Sequence, residues 1–173
     1  MSLGNRYDGV NAINSRSSGG EDLVLGRREL DFVLDALADL VDKAQQYFSN
    51  LDGETVVQVG EWGPAEVLGH LVWWHRANSE GLDSVLAGGP PNGAGESTEE
   101  LNARAMDEMA GRRVIDLLCE WECLQNQVEE KARALADPEV VVRIYRDGTP
   151  RTLVERIEEL AGHIAEHLEE LRR

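Results

Sequence analysis

Four stretches of this chain place apolar residues at three- and four-residue steps, and that periodicity restricts the fold more than any other feature. Over 29–48 the stripe is Leu30, Val33, Leu34, Leu37, Leu40, Val41 and Ala44. Over 64–87 it includes Val67, Leu68, Leu71, Trp74 and Leu82. A third stretch, 98–136, carries Leu117, Trp121, Leu124 and Val128, and is one helix unless Gly111 interrupts it. The fourth, from Thr149-Pro150 to the C-terminus, carries Leu153, Ile157, Leu160, Ile164, Leu168 and Leu171. Four one-sided helices bury their stripes only against one another, so the expected class is all-α and the architecture a four-helix bundle.

The punctuation agrees with these limits. Asn50, Asp52 and Gly53 stop the first helix, and Gly63-Pro64 opens the second with a proline where its missing N–H costs nothing. Gly88-Gly89-Pro90-Pro91-Asn92-Gly93 separates the second from the third. Ser97-Thr98-Glu99-Glu100 reads as a capping box. Pro138 ends the third helix, Asp147-Gly148 turns the chain, and Thr149 with Pro150 reads as the next N-cap and first turn. The segments 55–62 and 139–145 read as extended connections. Residues 1–20, rich in Gly, Asn and Ser, read as a flexible arm, and 21–173 as one domain.

Composition removes several function classes. The chain has 173 residues, 17 basic and 33 acidic, with a formal charge of −16. Phosphate binding needs a basic face, so nucleic acid is not the expected partner. No apolar run approaches the roughly 18 residues of a membrane span, and no secretory leader pattern opens the chain. Two cysteines, Cys119 and Cys123, exclude a disulfide scaffold and fit a cytoplasmic setting. Lying four apart, they suit a soft metal, but on the helical wheel they fall opposite Leu117, Trp121, Leu124 and Val128, where small filler at a second contact is the simpler reading. Trp73-Trp74 reads as core, with the flank of an apolar ligand as the alternative.

The histidines are the notable group. His70 and His75 lie on the second helix, His163 and His167 on the fourth. A four-residue spacing leaves two side chains about 40° apart, one turn above the other, as in helical His-x-x-x-His metal pairs. Measured from Leu160, His167 falls at about −20° and His163 at about −60°, so both can face the bundle interior. Measured from Leu71, His75 lies near +40° and His70 near −100°. The wheel slightly prefers His75 as the third inward ring and does not decide. Rings bonded only to Glu66, Glu159 or Glu166 are the alternative to a metal.

Trp62-Gly-Pro-Ala-Glu66-Val-Leu-Gly-His70-Leu71 resembles the Trp-x-x-x-(Asp/Glu)-x-x-x-His-Leu opening of helix two in the DinB/YfiT-like superfamily. His163-Ile-Ala-Glu166-His167-Leu168 resembles its closing His-x-x-x-His-Leu. Leu101-Asn102-Ala103-Arg104, the Gly/Pro-rich link before it and the final Glu166-His167-Leu-Glu-Glu-Leu look most like the branch named for ClbS and DfsB. The resemblance covers about residues 29–173. It implies an up-down-down-up bundle, frequently a homodimer, with a divalent metal, zinc or nickel, on His70, His163 and His167. It also implies a low-molecular-weight thiol in some members, and isomerase, transferase or hydrolase-type chemistry on a small electrophile. Glu66 and Glu166 are then the candidates to orient a ligand ring or relay a proton. A non-catalytic binding or sequestration bundle and a metal-free structural homodimer are the competing functions.

Overall fold

The computed structural model describes residues 18–51, 58–93 and 95–173. Five helices and a small sheet make it up: α1 Ser18–Ser49, α2 Pro64–Leu86, β1 Asn92–Gly93, α3 Thr98–Met109, α4 Val114–Ala134, β2 Val141–Ile144, β3 Pro150–Thr152 and α5 Leu153–Glu170. The helix count rises from four to five because Gly111, at φ 70°, takes the left-handed conformation that ends α3 and lets α4 start afresh. α1 begins eleven residues before the stripe that predicted it; the rest of the expected N-terminal arm, 1–17, lies outside the described residues. So do 52–57, which hold Asp52, Gly53 and the start of the expected 55–62 extension. No described helix is long and apolar enough to cross a membrane.

Cross-chain contacts fix the directions of the helices. Tyr47 near the end of α1 donates to the Leu171 carbonyl at the end of α5, 3.1 Å away, so these two run parallel. Arg27 near the start of α1 donates to the carbonyls of Arg133, Leu135 and Ala136 at the end of α4, which therefore runs the other way. Along α2 and α4 the partners advance together, Arg76 with Glu120 and Ser79 with Gln127, so they are parallel. His70 meets the far end of α5 and Asn78 meets Arg156 near its start, so α2 opposes α5. The bundle is up-down-down-up in α1, α2, α4 and α5, the topology that the sequence resemblance implies. α3 lies across α2, held by Trp73 Nε1 to Glu108 at 2.8 Å and Trp74 Nε1 to Asn102 at 3.2 Å.

The predicted stripes form the core, with Leu40 only partly covered. α2 departs from one-sidedness: Val67 to His75 is buried without a break, because α4, α3 and α5 cover it from different sides. That is why the wheel could not choose between its histidines.

Between α4 and α5 the chain makes a hairpin. The 139–145 run supplies β2, parallel to β1 and antiparallel to β3, so the link before α3 and the connection before α5 are strands of one sheet. Pro150 consequently lies in β3 and is not a first-turn proline. The α5 N-cap is Thr152 rather than Thr149, in a reciprocal capping box with Glu155. The Ser97–Glu100 capping box and Pro64 at the start of α2 are as expected.

Gly69 sits where α3 meets α2: a Cβ there would lie 2.9 Å from Met109 Cβ, closer than packed carbons approach. Gly69→Ala should therefore lower stability by about 1–3 kcal/mol through overpacking, read as a lower denaturant midpoint with an unchanged slope.

Candidate metal centre

α5 presents His163 and His167 on one face, a turn apart, and α2 presents His70 toward them. His163 Nε2 lies 2.9 Å from His70 Nε2 and 3.1 Å from His167 Nε2. The three rings cross steeply, with centroids 4.7–5.2 Å apart. Ring nitrogens from all three residues converge within the reach of one ion.

Proton accounting tests whether a metal fits. A neutral imidazole has one N–H and one lone pair. His167 Nδ1 is 2.8 Å from Glu170 Oε2, and a carboxylate accepts, so Nδ1 carries the hydrogen and Nε2 is a bare lone pair. Without a cation, His163 Nε2 faces two neighbouring Nε2 atoms with at most one hydrogen of its own. A cation at the shared point satisfies all three lone pairs. Nitrogens held ~2.0–2.1 Å from one zinc ion lie about 2.9 Å apart at a right angle and about 3.4 Å apart at the tetrahedral angle, the span in which the two separations from His163 fall. The Glu170–His167 contact is the carboxylate–imidazole pairing that commonly steadies a ligand ring.

Electrostatics favour the same state. Burial, with the neighbouring His167, lowers the His70 pKa to about 4. Burial, then the His70 and His167 rings, lowers that of His163 to about 3. Both stay neutral at pH 7, as ligation requires. His70 Nδ1 is buried with no partner among the described residues.

The cluster opens into a cavity of about 480 Å³. Trp62 and Trp74 wall it, with the Trp62 ring 4.9 Å from His70 and the Trp74 ring 6.2 Å from His163. Trp62 is placed by a tight turn through Gly60, at φ 62°, closed by hydrogen bonds of 2.8 and 3.0 Å between Val59 and Trp62. Arg143, Tyr145, Arg156 and Glu159 complete the lining, with the Arg143 and Arg156 guanidinium carbons 5.6 and 5.9 Å from the Trp74 ring centroid. Tyr145 Oη donates to Glu159 at 2.7 Å, and Arg156 Nη1 lies 2.8 Å from the same oxygen. Burial pushes the Glu159 carboxyl up, but hydrogen bonds from Tyr145, Arg151 and Arg156 outweigh it and hold the group below its ordinary range.

The other sequence candidates divide. Glu166 is exposed and lines the cavity. Glu66 does not: it stands exposed on the first turn of α2 and lines a separate depression with Met106 and Arg112. His75 is fully buried but turned toward α4, with Nε2 2.9 Å from Gln125 Oε1 and its ring 5.5 Å from Trp121. Trp73 and Trp74 are both buried, and Trp74 also faces the cavity. Cys119 and Cys123 are exposed on α4, so neither is filler at a second contact: that helix is buried on its Leu117–Val128 side, and the two thiols lie away from it. Sequence reasoning missed Glu170, although its three-residue offset from His167 was a visible signal. It also missed Arg143 and Tyr145, which reach the cavity only because the hairpin folds against it, and Arg156, which reaches it from the first turn of α5.

No family model and no curated protein matches the chain. A search of solved structures finds the crystal structure of the mycothiol-dependent maleylpyruvate isomerase, at a TM-score of 0.65 and 12% identity. The match covers 82% of this chain and 60% of that one, so this chain spans less than two thirds of that enzyme's length. At that identity the likeness shows the fold: this chain has the helical fold of the mycothiol-dependent isomerase.

Proposed function

We propose that this protein binds one divalent metal ion, zinc or nickel, through His70, His163 and His167, and acts there on a small electrophilic molecule with a low-molecular-weight thiol as cosubstrate. The observation that carries the proposal is the convergence of three Nε2 atoms from two helices, at separations of 2.9 and 3.1 Å, on the wall of a cavity large enough for a small ligand. The shared fold with a mycothiol-dependent isomerase supports thiol chemistry over hydrolysis. Within the superfamily we assign the chain to the ClbS and DfsB branch on the Leu101–Arg104 motif, whose Asn102 lines the cavity.

A divalent ion held by His70, His163 and His167 would supply Lewis acidity and an open position for a small ligand. The chain's own residues do the rest. Glu170 holds the His167 tautomer that leaves Nε2 free. Glu166, exposed at the rim, is placed to take up or return a proton, the role for which Glu66 stands in the wrong depression. Trp62 and Trp74 exclude water from the side where the ligand lies.

Metal analysis of protein prepared without an affinity tag tests this. One equivalent of zinc or nickel is expected, with loss of most of it in His70→Ala, His163→Ala and His167→Ala. His75→Ala should keep the metal and lose stability, since it leaves Gln125 without its buried partner. Full occupancy in any of the first three variants contradicts the ligand set.

Metal-free protein should also show a defined pH dependence. His70, His75 and His163 have native pKa values of about 4, 4 and 3, below the ordinary 6.5. Between those values and 6.5 the unfolded chain binds more protons than the native one, so stability is fully present above pH 6.5 and falls as pH drops toward 4. Thermal midpoints in chelator at pH 7.5 and pH 5 should differ with the lower value at pH 5; equal midpoints, or a higher one at pH 5, would show that the rings are not buried neutral.

A further inference from the structure

Arg143 is buried to 7% exposure, yet it borders the cavity that holds the imidazoles. Its Nε makes no hydrogen bond, and no carboxylate among the described residues pairs with it. Glu159, the carboxylate of the lining that acts on Arg143, is already engaged by Tyr145, Arg151 and Arg156. Arg156 is itself satisfied, with Nε 2.6 Å from Asn78 Oδ1 and Nη1 2.8 Å from Glu159. A guanidinium stays charged in a protein, and a buried charge left without a partner is costly.

Two features show that the chain holds Arg143 there without neutralising it. Its Cζ lies 5.6 Å from the Trp74 ring centroid and 5.3 Å from that of Tyr145, so two aromatic faces support the cation while contributing no negative charge. The β2–β3 ladder is irregular between Val141 and Arg143, and Val142 and Arg143 are both buried. Regular alternation would turn one of two successive side chains outward; an irregularity of this sort re-aims a side chain. Trp74 is also the wall shared with the histidines, 6.3 Å from the His70 ring and 6.2 Å from that of His163.

We propose that Arg143 is an anion-binding subsite of this cavity, which takes the carboxylate of a small monoanionic substrate and directs the rest of the molecule along Trp74 toward the imidazoles. The subsite deepens the metal-centre reading and rests on it only for where the reacting atom lies. The planar fork of a guanidinium matches a carboxylate bidentately, and a single uncompensated positive charge matches one negative charge better than the two of a phosphate monoester.

Calorimetric titration of the full chain tests the subsite with benzoate, its neutral counterpart benzamide, and inorganic phosphate. Each is run first on chelator-treated protein, so that no metal contributes, and then on zinc-loaded protein. Wild-type protein should bind benzoate at least about tenfold more tightly than benzamide, the ratio expected of a charge-assisted contact. Arg143→Gln should abolish that preference, and Arg143→Lys should retain part of it. Equal affinities for acid and amide in the wild type, no benzoate binding, a preference that survives in Arg143→Gln, or phosphate binding more tightly than benzoate would each overturn the proposal. The wild-type comparison requires no variant to fold. A protein that binds no zinc but shows the Arg143-dependent preference would refute the metal reading and leave the subsite standing; the reverse pattern would do the opposite.

Discussion

The burial of α2 on nearly every side is the constraint from which the rest of the molecule follows. Covered by α4, α3 and α5, this helix has no exposed residue from Val67 to His75, so the polar side chains in that run must find partners inside the protein. His75 finds Gln125 on α4. Trp73 and Trp74 find Glu108 and Asn102 on α3. His70 faces α5, and what it meets there is two more imidazoles and no acid or amide. A buried polar group needs a partner, and the proposed cation is one that three convergent ring nitrogens could share.

The sequence disclosed the bundle and two corners of the site. The stripes on α1, α4 and α5 are one-sided because each of those helices keeps a solvated face, and there the wheel identifies the core correctly. On α2 it fails for the same physical reason run backwards: with both His70 and His75 enclosed, angle from the stripe carries no information about which neighbour each ring faces. The family resemblance, resting on the spacing from Trp62 to His70, supplied that choice. The hairpin was legible only as an extended run, since nothing local shows that the Asn92-Gly93 link would return to pair with Arg143 and Ile144. Thr149-Pro150 carried a good helix-start signal, but sheet pairing with β2 claimed Pro150 and moved the cap to Thr152. Gly111 was a recognised alternative break, and its positive φ is the reason the break is real.

The cavity concentrates opposite electrostatic tasks in a strongly acidic chain. The chain carries a formal charge of −16, while the cavity brings imidazoles, aromatic rings and the Arg143 and Arg156 guanidinium groups together with Glu159, Glu166 and Glu170. Burial and mutual repulsion strip protons from His70 and His163, and pairing with Glu170 orients His167. Glu159 gathers Tyr145, Arg151 and Arg156 into one bonded group, and Arg143 has no salt bridge among the described residues. The proposed cation site at the three imidazoles and the proposed anion site at Arg143 thus share Trp74 as a neighbour.

X-ray absorption at the zinc edge of the reconstituted protein examines the convergence itself, independently of any reaction. Three nitrogen scatterers near ~2.0 Å with the outer-shell pattern of imidazole are the expected result. Sulfur in the first shell, which would implicate Cys119 and Cys123, or a shell with fewer than three imidazoles, would contradict the account.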